Sequence, residues 1–423
     1  MITGGPVEET LERPVHVASL WHNREYLLLW IGQGISTTGS QVSQFAFPLL
    51  ILALFRSPAL AGIGGALVGL PYFFLALPAG VLVDRWNRKR LMIVCDIGRG
   101  LVLFSMTIAL LIGRLTLVQA FICALIEGCL FVFVDLASDA ATMHVVAPEQ
   151  HNAMWARRSF IMSAAYSLGQ ALAGILLSFA RFLPFLVDAI SYLVSIVTVA
   201  ATRRPLQDER SSLPDFSLTS MLGEIREGIV WVWHKPVVRL LTVQAMLGNA
   251  LENGQLLLFV VIAVRLHVSV PLIGVVFGLA GLGALVGSLL AEYLSSRLAL
   301  RPILITCQWV TVGLLLVYLL ANSILVLGLV SALLVTLSPI QGALSSSYRV
   351  GLAPDVLRGR VIGVMRLVAY AGPSLGLTAM GVLLQTFDVV PTVLICSAVS
   401  LMMAVLLTAS KPLRQVQQEA KSE

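Results

Sequence analysis

The sequence contains few charged residues for its length. Asp, Glu, Lys and Arg make up 12% of its 423 residues, 58% are hydrophobic, and the mean hydropathy is +0.91. A soluble domain carries about 25% charged residues, so this chain has too little charge to cover a surface that faces water. The composition therefore excludes an ordinary soluble enzyme, a disordered chain and a fibrous repeat, and it predicts a protein surrounded by lipid.

Residue patterns typical of catalytic and metal centres are also scarce. The sequence contains no HExxH segment and no phosphate-binding GxxxxGK[ST] segment, so neither a zinc hydrolase nor ATP-driven pumping is indicated. Its five cysteines lie inside apolar runs without a CxxC pair, which is typical of small buried side chains rather than of disulfides or metal ligands. We therefore expect no enzyme activity, no cofactor and no bound metal.

The apolar residues occur in long blocks rather than in alternation, which argues against a transmembrane β-barrel. A helix needs about 20 residues to cross the hydrocarbon layer, and twelve blocks reach this length. Their approximate bounds are 27–54, 58–82, 91–112, 116–143, 157–179, 183–202, 238–264, 270–296, 302–321, 323–348, 361–386 and 390–410. We predict an all-α integral membrane protein with 12 transmembrane helices.

The longest segment between two blocks follows the sixth block and divides the chain into two groups of six. Short sequence matches support a duplicated unit, for example Ala147-Pro148-Glu149 with Ala353-Pro354-Asp355, at an offset of 206 residues. Two parallel six-helix halves with a site between them are an architecture of secondary transporters. The predicted parts are a tail at 1–26, a bundle at 27–202, a linker at 203–237, a bundle at 238–410 and a tail at 411–423.

The basic residues predict the orientation of the chain. With both termini on one side, 24 of the 28 Lys and Arg residues, Arg99 and Arg349 among them, belong to that side, and four belong to the other. Cytoplasmic loops of membrane proteins carry such an excess of bases. We expect a multi-pass protein of the cell membrane with both termini in the cytoplasm and an even number of spans.

The loop after the second block reads Gly80-Val-Leu-Val-Asp84-Arg85-Trp-Asn-Arg88-Lys-Arg. It resembles motif A of the major facilitator superfamily, G-x-x-x-D-R-x-G-R-[RK], with Asn87 in place of the usual glycine. Because asparagine tolerates positive φ, we expect the turn to be preserved. Positive-inside arginines alone would explain the bases of this loop but not Gly80 or Asp84.

A second segment, Glu224 to Pro236, precedes the seventh block. It resembles the interdomain helix of the 12-span drug:proton antiporter branch that includes macrolide efflux proteins and the enterobactin exporter. An amphipathic helix of this kind suits the cytoplasmic membrane surface. The residues on its predicted apolar face are Leu218, Met221, Leu222, Ile225, Ile229 and Trp233, while Glu224 and Glu227 lie off that face.

The resemblance implies a major facilitator fold and roles for the residues of motif A. Asp84 would interact with the start of the eleventh helix, and Arg85 and Arg88 would pair with acids at the inner end of the fourth, where Asp139 is available. These contacts would latch the two halves in an outward-open state.

The sequence Gly372-Pro373 resembles motif C, the antiporter signature. That motif normally belongs to the fifth span, where this chain has Gly169 and Gly174. Close helix packing explains these glycines equally well, so both interpretations stay open.

Ionisable residues at span centres are costly and are functional candidates by default. Glu127 lies near the middle of the fourth span and Glu252 near the middle of the seventh. Asp135 lies further inward on the fourth span, one helical turn before Asp139. Asp188, near the outer end of the sixth span, is interpreted as interfacial.

Polar stripes on the first and seventh spans predict a shared aqueous cavity, with hydrogen bonding between helices as the alternative. Gln341 occupies the place on the tenth span that Asp135 occupies on the fourth. The stripes consist of Gln33, Thr37, Ser40, Gln41 and Gln44 on the first span and of Gln244, Gly248, Glu252 and Gln255 on the seventh.

These patterns and the resemblance together predict a secondary transporter that works by alternating access. We expect proton-coupled efflux of hydrophobic or amphipathic small molecules, such as an antibiotic, a secondary metabolite or a siderophore. Glu252 and Glu127 are the first candidates for the coupling acid and Asp135 is the third. Import of a small solute and a receptor role without transport stay open as alternatives. The expected partners are membrane lipid, the substrate and protons, with no nucleic acid, and the chain is expected to act as a monomer.

Overall fold

The computed structural model describes residues 20–207, 218–295, 297, 299–411 and 413–414. The remaining residues of the predicted tails and linker lie outside this part of the chain. The described part contains thirteen α-helices and no strand. Their bounds are Arg24–Phe55 (α1), Pro58–Arg85 (α2), Arg88–Leu111 (α3), Leu117–Val145 (α4), His151–Phe179 (α5), Leu183–Ala200 (α6), Leu218–His234 (α7), Pro236–Arg265 (α8), Val270–Ser295 (α9), Leu300–Val317 (α10), Ile324–Gly351 (α11), Asp355–Thr386 (α12) and Val389–Ala409 (α13).

Twelve of these helices are long and apolar enough to cross a membrane, and α7 is the short exception. The predicted fold class is therefore confirmed. Several helices begin earlier than the apolar blocks, because their first turns carry charged residues, as Arg24 and Glu25 do in α1. Polar side chains cap the helix starts: Asn23 accepts a hydrogen bond from the amide of Tyr26 before α1, and Ser57 and Thr116 cap α2 and α4 in the same way.

The turn after α2 differs from the one expected from motif A. Asn87 has φ −68° and an extended backbone, so the prediction of a turn with positive φ was wrong. Its side chain instead caps α3 by accepting a hydrogen bond from the amide of Arg90 at 3.0 Å. Asparagine is among the best N-cap residues, which explains why it is tolerated here.

The linker helix α7 packs against α12 through Gly228 and Val232, which are buried. The Glu227 carboxylate forms an ion pair with Arg360 of α12 and ties the two helices together. Ile229 and Trp233 of the predicted apolar face point away from the bundle, and Trp233 is 58% exposed. The side chains of Leu218, Met221, Leu222, Glu224 and Ile225 lie outside the description.

Each group of six transmembrane helices packs mainly within itself, and the two groups meet along α2 with α12 and α5 with α9. Small residues make these crossings close. A Cβ atom on Gly174 of α5 would lie 2.5 Å from the Cα atom of Gly274 on α9. Such contacts allow two helix backbones to touch.

The two ends of the bundle differ in how the halves are joined. We call the end at which α1 begins and α13 ends the terminal end, and the other the distal end. At the distal end one hydrophobic core contains buried residues of both halves, with the Phe45 and Phe277 rings 5.8 Å apart. At the terminal end, each of the described hydrophobic cores contains buried residues of only one half. The buried core that the described parts of the two halves share therefore lies at the distal end.

The close crossing of α5 and α9 predicts a stability effect. Gly174→Val should lower the free energy of unfolding by about 1–3 kcal/mol, because the added atoms meet backbone. Thermal unfolding of the purified protein in detergent measures this change. Gly313→Val is the matched control, since a Cβ atom at Gly313 of α10 would meet nothing within 4 Å. Equal destabilisation by the two substitutions would contradict the packing role.

Candidate functional site

A cavity of about 570 Å³ lies in the second half of the bundle, between α8, α10, α11, α12 and α13. It extends from Gln255 and Leu334 to Arg349 and Val350 near the terminal end. Cavities that hold drug-sized ligands occupy about 300–1,000 Å³, so this volume suits a small organic molecule. Its walls are mainly apolar and include Leu247, Leu251, Leu315, Leu337, Met365 and Met403.

The predicted polar stripe of the seventh span lines this cavity. Gln244, Glu252 and Gln255 of α8 all face it, and so does Gln341 of α11. Gln244 Nε2 donates to Gln341 Oε1 at 2.5 Å, and Gln255 Nε2 donates to Tyr318 Oη at 2.9 Å. The stripe therefore both lines a cavity and bonds neighbouring helices, but this cavity lies within the second half and is not the one that the stripe of the first span lines.

Glu252 lies in this cavity and has no basic partner among the side chains that the structure describes. Ser338 Oγ of α11 donates to its Oε2 atom at 2.5 Å, and Tyr166 of the other half lies within electrostatic range. The ion pairs formed between described residues do not include Glu252. A carboxylate in such a place is neutralised by a proton or by a cation that enters the cavity.

A second, smaller cavity of about 80 Å³ lies in the first half. It is lined by the polar stripe of the first span together with acids of α4 and a base of α5. The lining residues from these groups are Gln33, Thr37, Ser40, Gln41, Gln44, Asp135, Asp139 and Arg158. The structure thus brings each polar stripe to a cavity of its own half.

Asp135 is a paired acid that is linked to the other half through Tyr72. Arg158 Nη2 lies 2.8 Å from its Oδ1 atom, and the same guanidinium forms an ion pair with Asp139. Tyr72 Oη donates to Asp135 Oδ2 at 2.9 Å, and the Tyr72 ring stacks on Tyr370 of α12 with centroids 3.5 Å apart. The state of Asp135 is therefore connected to the contact between the halves. Arg158 fits the sequence pattern of bases that flank the spans, and its pairing with Asp135 and Asp139 was not predicted.

Glu127 belongs to a buried ionic cluster centred on Arg99. The Arg99 guanidinium is 2% exposed and lies 2.7 Å from Glu127 Oε1 and 3.5 Å from Asp96 Oδ1. It also donates to Ser40 Oγ at 3.1 Å and to Tyr192 Oη at 2.7 Å. The assignment of Arg99 to the basic flank of the third span was wrong, because this side chain lies three turns inside α3. Its distance from the predicted start of that span was the available signal.

Asp188 completes this cluster, so its interpretation as an interfacial residue was also wrong. Its side chain is fully buried and contacts the hydroxyl groups of Ser43, Ser191 and Tyr192. Tyr192 Oη lies 3.1 Å from Asp188 Oδ2 and 2.7 Å from Glu127 Oε1, but a hydroxyl group has only one hydrogen. The cluster thus places three carboxyl groups around one guanidinium group, and Tyr192 can donate to only one of these two carboxylate oxygens.

The motif A loop is held within its own half in this structure. The Asp84 carboxylate is 64% exposed and lies 3.3 Å from Arg88 Nη2. Arg88 also donates to the carbonyl oxygens of Ala140 and Leu206, which fastens the loop to α4 and to the segment after α6. Arg85 is half-buried beside them, and a Cβ atom at Gly80 would meet nothing within 4 Å. The latch between Asp84 and the eleventh span stays a prediction, because several side chains at the start of α12 lie outside the described residues.

The glycines compared with motif C lie at close helix contacts. A Cβ atom at Gly169 of α5 would lie 2.5 Å from Gln41 Cβ of α1, and one at Gly372 of α12 would lie 2.9 Å from Asn249 Cβ of α8. Pro373 lies inside α12, next to Gly372. Their placement agrees with the packing interpretation, and the antiporter interpretation stays a prediction.

Comparison with known proteins gives consistent relatives. The sequence model of a family described as transmembrane secretion effector matches residues 18–423. The multidrug efflux pump Tap of Mycolicibacterium fortuitum is 26% identical over 412 residues, which cover 93% of this chain and 98% of Tap. Macrolide efflux protein A of Streptococcus pyogenes is 27% identical over 208 residues, which cover 48% of this chain and 50% of that protein.

Solved structures with the same fold include two transporters. The nucleoside transporter NupG has a TM-score of 0.73 at 13% identity, over 91% of this chain and 98% of that chain. A bacterial homologue of the iron transporter ferroportin, in an inward-facing state, has a TM-score of 0.65 at 21% identity, over 92% of this chain and 99% of that chain. At these identities the likeness shows the fold alone.

The buried cluster predicts a large cost for removing its base. Arg99→Gln should lower the free energy of unfolding by about 3–5 kcal/mol, because it leaves buried acids without a counter-charge. The double substitution Arg99→Gln with Glu127→Gln should recover part of that loss, since it also removes an unpaired carboxylate. Denaturant unfolding in detergent micelles measures both. Arg265→Gln, at an exposed distal pair with Asp388, is the control and should have little effect. Failure of the double substitution to improve on the single one would contradict the assignment.

Proposed function

Because the chain belongs to the transmembrane secretion effector family of the major facilitator superfamily, it is a membrane transporter and not an enzyme, and we propose that it exports hydrophobic or amphipathic small molecules in exchange for protons. The substrate would enter from the terminal end, towards which the larger cavity extends. The proposal places that end in the cytoplasm, as the excess of bases indicates. The chain would act in the cell membrane as a monomer built of two bundles, 27–202 and 238–410.

Export as the direction of transport is supported by the relatives. Tap is a multidrug efflux pump and macrolide efflux protein A is an efflux protein by name, and the match to Tap covers nearly the whole of both chains. The cavity supports the same kind of substrate. Most of its wall surface is apolar, while polar side chains enter from α8, α10, α11 and α13. This arrangement suits a molecule with a broad apolar surface and a few polar groups.

The observation that carries the proton-coupling proposal is the environment of Glu252. The three candidate acids differ in their partners: Glu127 is paired with Arg99 and Asp135 with Arg158, whereas Glu252 forms no ion pair among the described residues. A carboxylate that already has a counter-charge gains little from a proton. Glu252 faces the cavity, so a proton and a cationic substrate group would compete for it, and this competition is what exchange requires.

Alternating access would follow from the joints between the halves. To open outward, the distal core would separate and the terminal end would close. The motif A latch between Asp84 and the start of α12 would then form in this outward-open state. Stacking of Tyr72 on Tyr370 lies between the two ends, next to Asp135. Through this stacked pair, the protonation of Asp135 would influence the movement of the two halves against each other.

Glu252→Gln should abolish most of the gradient-driven transport while leaving a folded protein. The side chain keeps its shape and its contact with Ser338, but it no longer binds a proton. Proton-driven dye uptake into everted vesicles should fall by about tenfold or more, since couplings between two ligands are commonly worth about 5–150-fold. Glu149→Gln removes an acid that is exposed between α4 and α5, and it should transport normally. Full gradient-driven uptake by Glu252→Gln would exclude the coupling role.

A further inference from the structure

The cavity of the second half contains a second charge, on Arg349, that has no ionic partner among the described residues. This side chain belongs to α11, is 4% exposed and lines the cavity that also contains Glu252. Its Nε atom donates to the carbonyl oxygen of Ser345 at 3.0 Å, and Nη1 lies 3.5 Å from Thr242 Oγ1. Among the described residues, no acid forms an ion pair with Arg349.

The guanidinium group has donors left for a ligand. An arginine side chain carries five N–H donors in a planar fork, and neutral oxygens accept from two of them here. A buried cation without an anionic partner is costly, and planar guanidinium groups bind carboxylate and phosphate oxygens through two parallel hydrogen bonds. Arg349 therefore offers a place for an anionic group.

The distance between the two charges follows from their contacts on α11. Glu252 bonds to Ser338, and the Arg349 guanidinium reaches back to Ser345 on the same helix. At a rise of 1.5 Å per residue, these contacts lie about 10 Å apart along the axis. Apolar wall residues such as Leu337 and Met365 line the cavity with them.

From this arrangement we propose that the cavity binds amphoteric molecules, with a cationic group at Glu252 and an anionic group at Arg349. The cationic group lies deep in the cavity and the anionic group lies towards the terminal end. This inference names the substrate class of the site and thus rests on the proposed function. A molecule with a cation alone leaves Arg349 without a partner, whereas an amphoteric molecule neutralises both buried charges.

The experiment uses three fluorescent ligands that share one ring system. Ciprofloxacin carries an amine and a carboxylate at opposite ends of a rigid aromatic frame, its methyl ester keeps only the cation, and its N-acetyl derivative keeps only the anion. Binding of each to the purified full-length protein is measured by fluorescence titration, with thermal unfolding as the check on folding. The zwitterion should bind most tightly.

The variants separate the two ends of the site. Arg349→Gln should weaken the zwitterion and the N-acetyl derivative by about tenfold, the usual size for loss of one charge-assisted contact, and leave the ester unchanged. Glu252→Gln should weaken the zwitterion and the ester and leave the N-acetyl derivative unchanged. Arg349→Lys should retain part of the preference because it keeps the charge, and Arg265→Gln, at the distal end, should bind like the unaltered protein.

Several results would overturn the inference: equal binding of the three ligands, binding of none of them, or an Arg349→Gln variant that binds all three as before. The last result is expected if Arg349 holds a lipid phosphate instead. These binding results are distinct from failure of the proposed function, which would appear as absence of gradient-driven uptake in a protein that still distinguishes the ligands.

Discussion

A charge inside a bundle of membrane helices needs a neutralising neighbour, and this constraint organises the polar residues of the protein. Arg99 satisfies it by collecting Asp96, Glu127 and hydroxyl groups from α1 and α6 into one buried cluster. Arg158 satisfies it with Asp135 and Asp139. Glu252 and Arg349 do not satisfy it within the described residues, and both line the larger cavity. These two charges are the basis for the proposal that a ligand from outside the chain binds in this cavity.

The two halves consequently differ, although their helices follow the same plan. In the first half the buried ionic groups pair with each other, and the cavity is small. The second half has a wide cavity with an acid and a base at separate levels and mainly apolar walls between them. Tyr72 and Tyr370 meet across the boundary, next to the paired acid of α4. This asymmetry suits a division of work in which one half binds the ligand and the other provides the rigid partner against which it moves.

Much of this architecture could be predicted from the sequence, because apolar blocks of sufficient length fix the spans and a period of 3.6 residues fixes the polar stripes. The depth of individual bases could not be predicted in the same way. Arg99, Arg158 and Arg349 all fit a count of flanking bases, and only the packing shows that Arg99 is enclosed and that Arg349 faces a cavity. The conformation of Asn87 could not be predicted either. Asparagine suits both a turn with positive φ and a helix N-cap, and in the structure Asn87 is the N-cap of α3.

The core shared by the halves at the distal end is held together by apolar side chains such as Phe45, Leu257 and Phe277. Separating them brings water onto hydrocarbon surface, which raises the heat capacity of the protein. The contact also loses strength on cooling, because apolar hydration becomes less unfavourable at low temperature. In the proposed alternating-access cycle, the equilibrium between the two access states would therefore be a curved function of temperature, and the membrane's working temperature would be one of the factors that set how often the distal end opens.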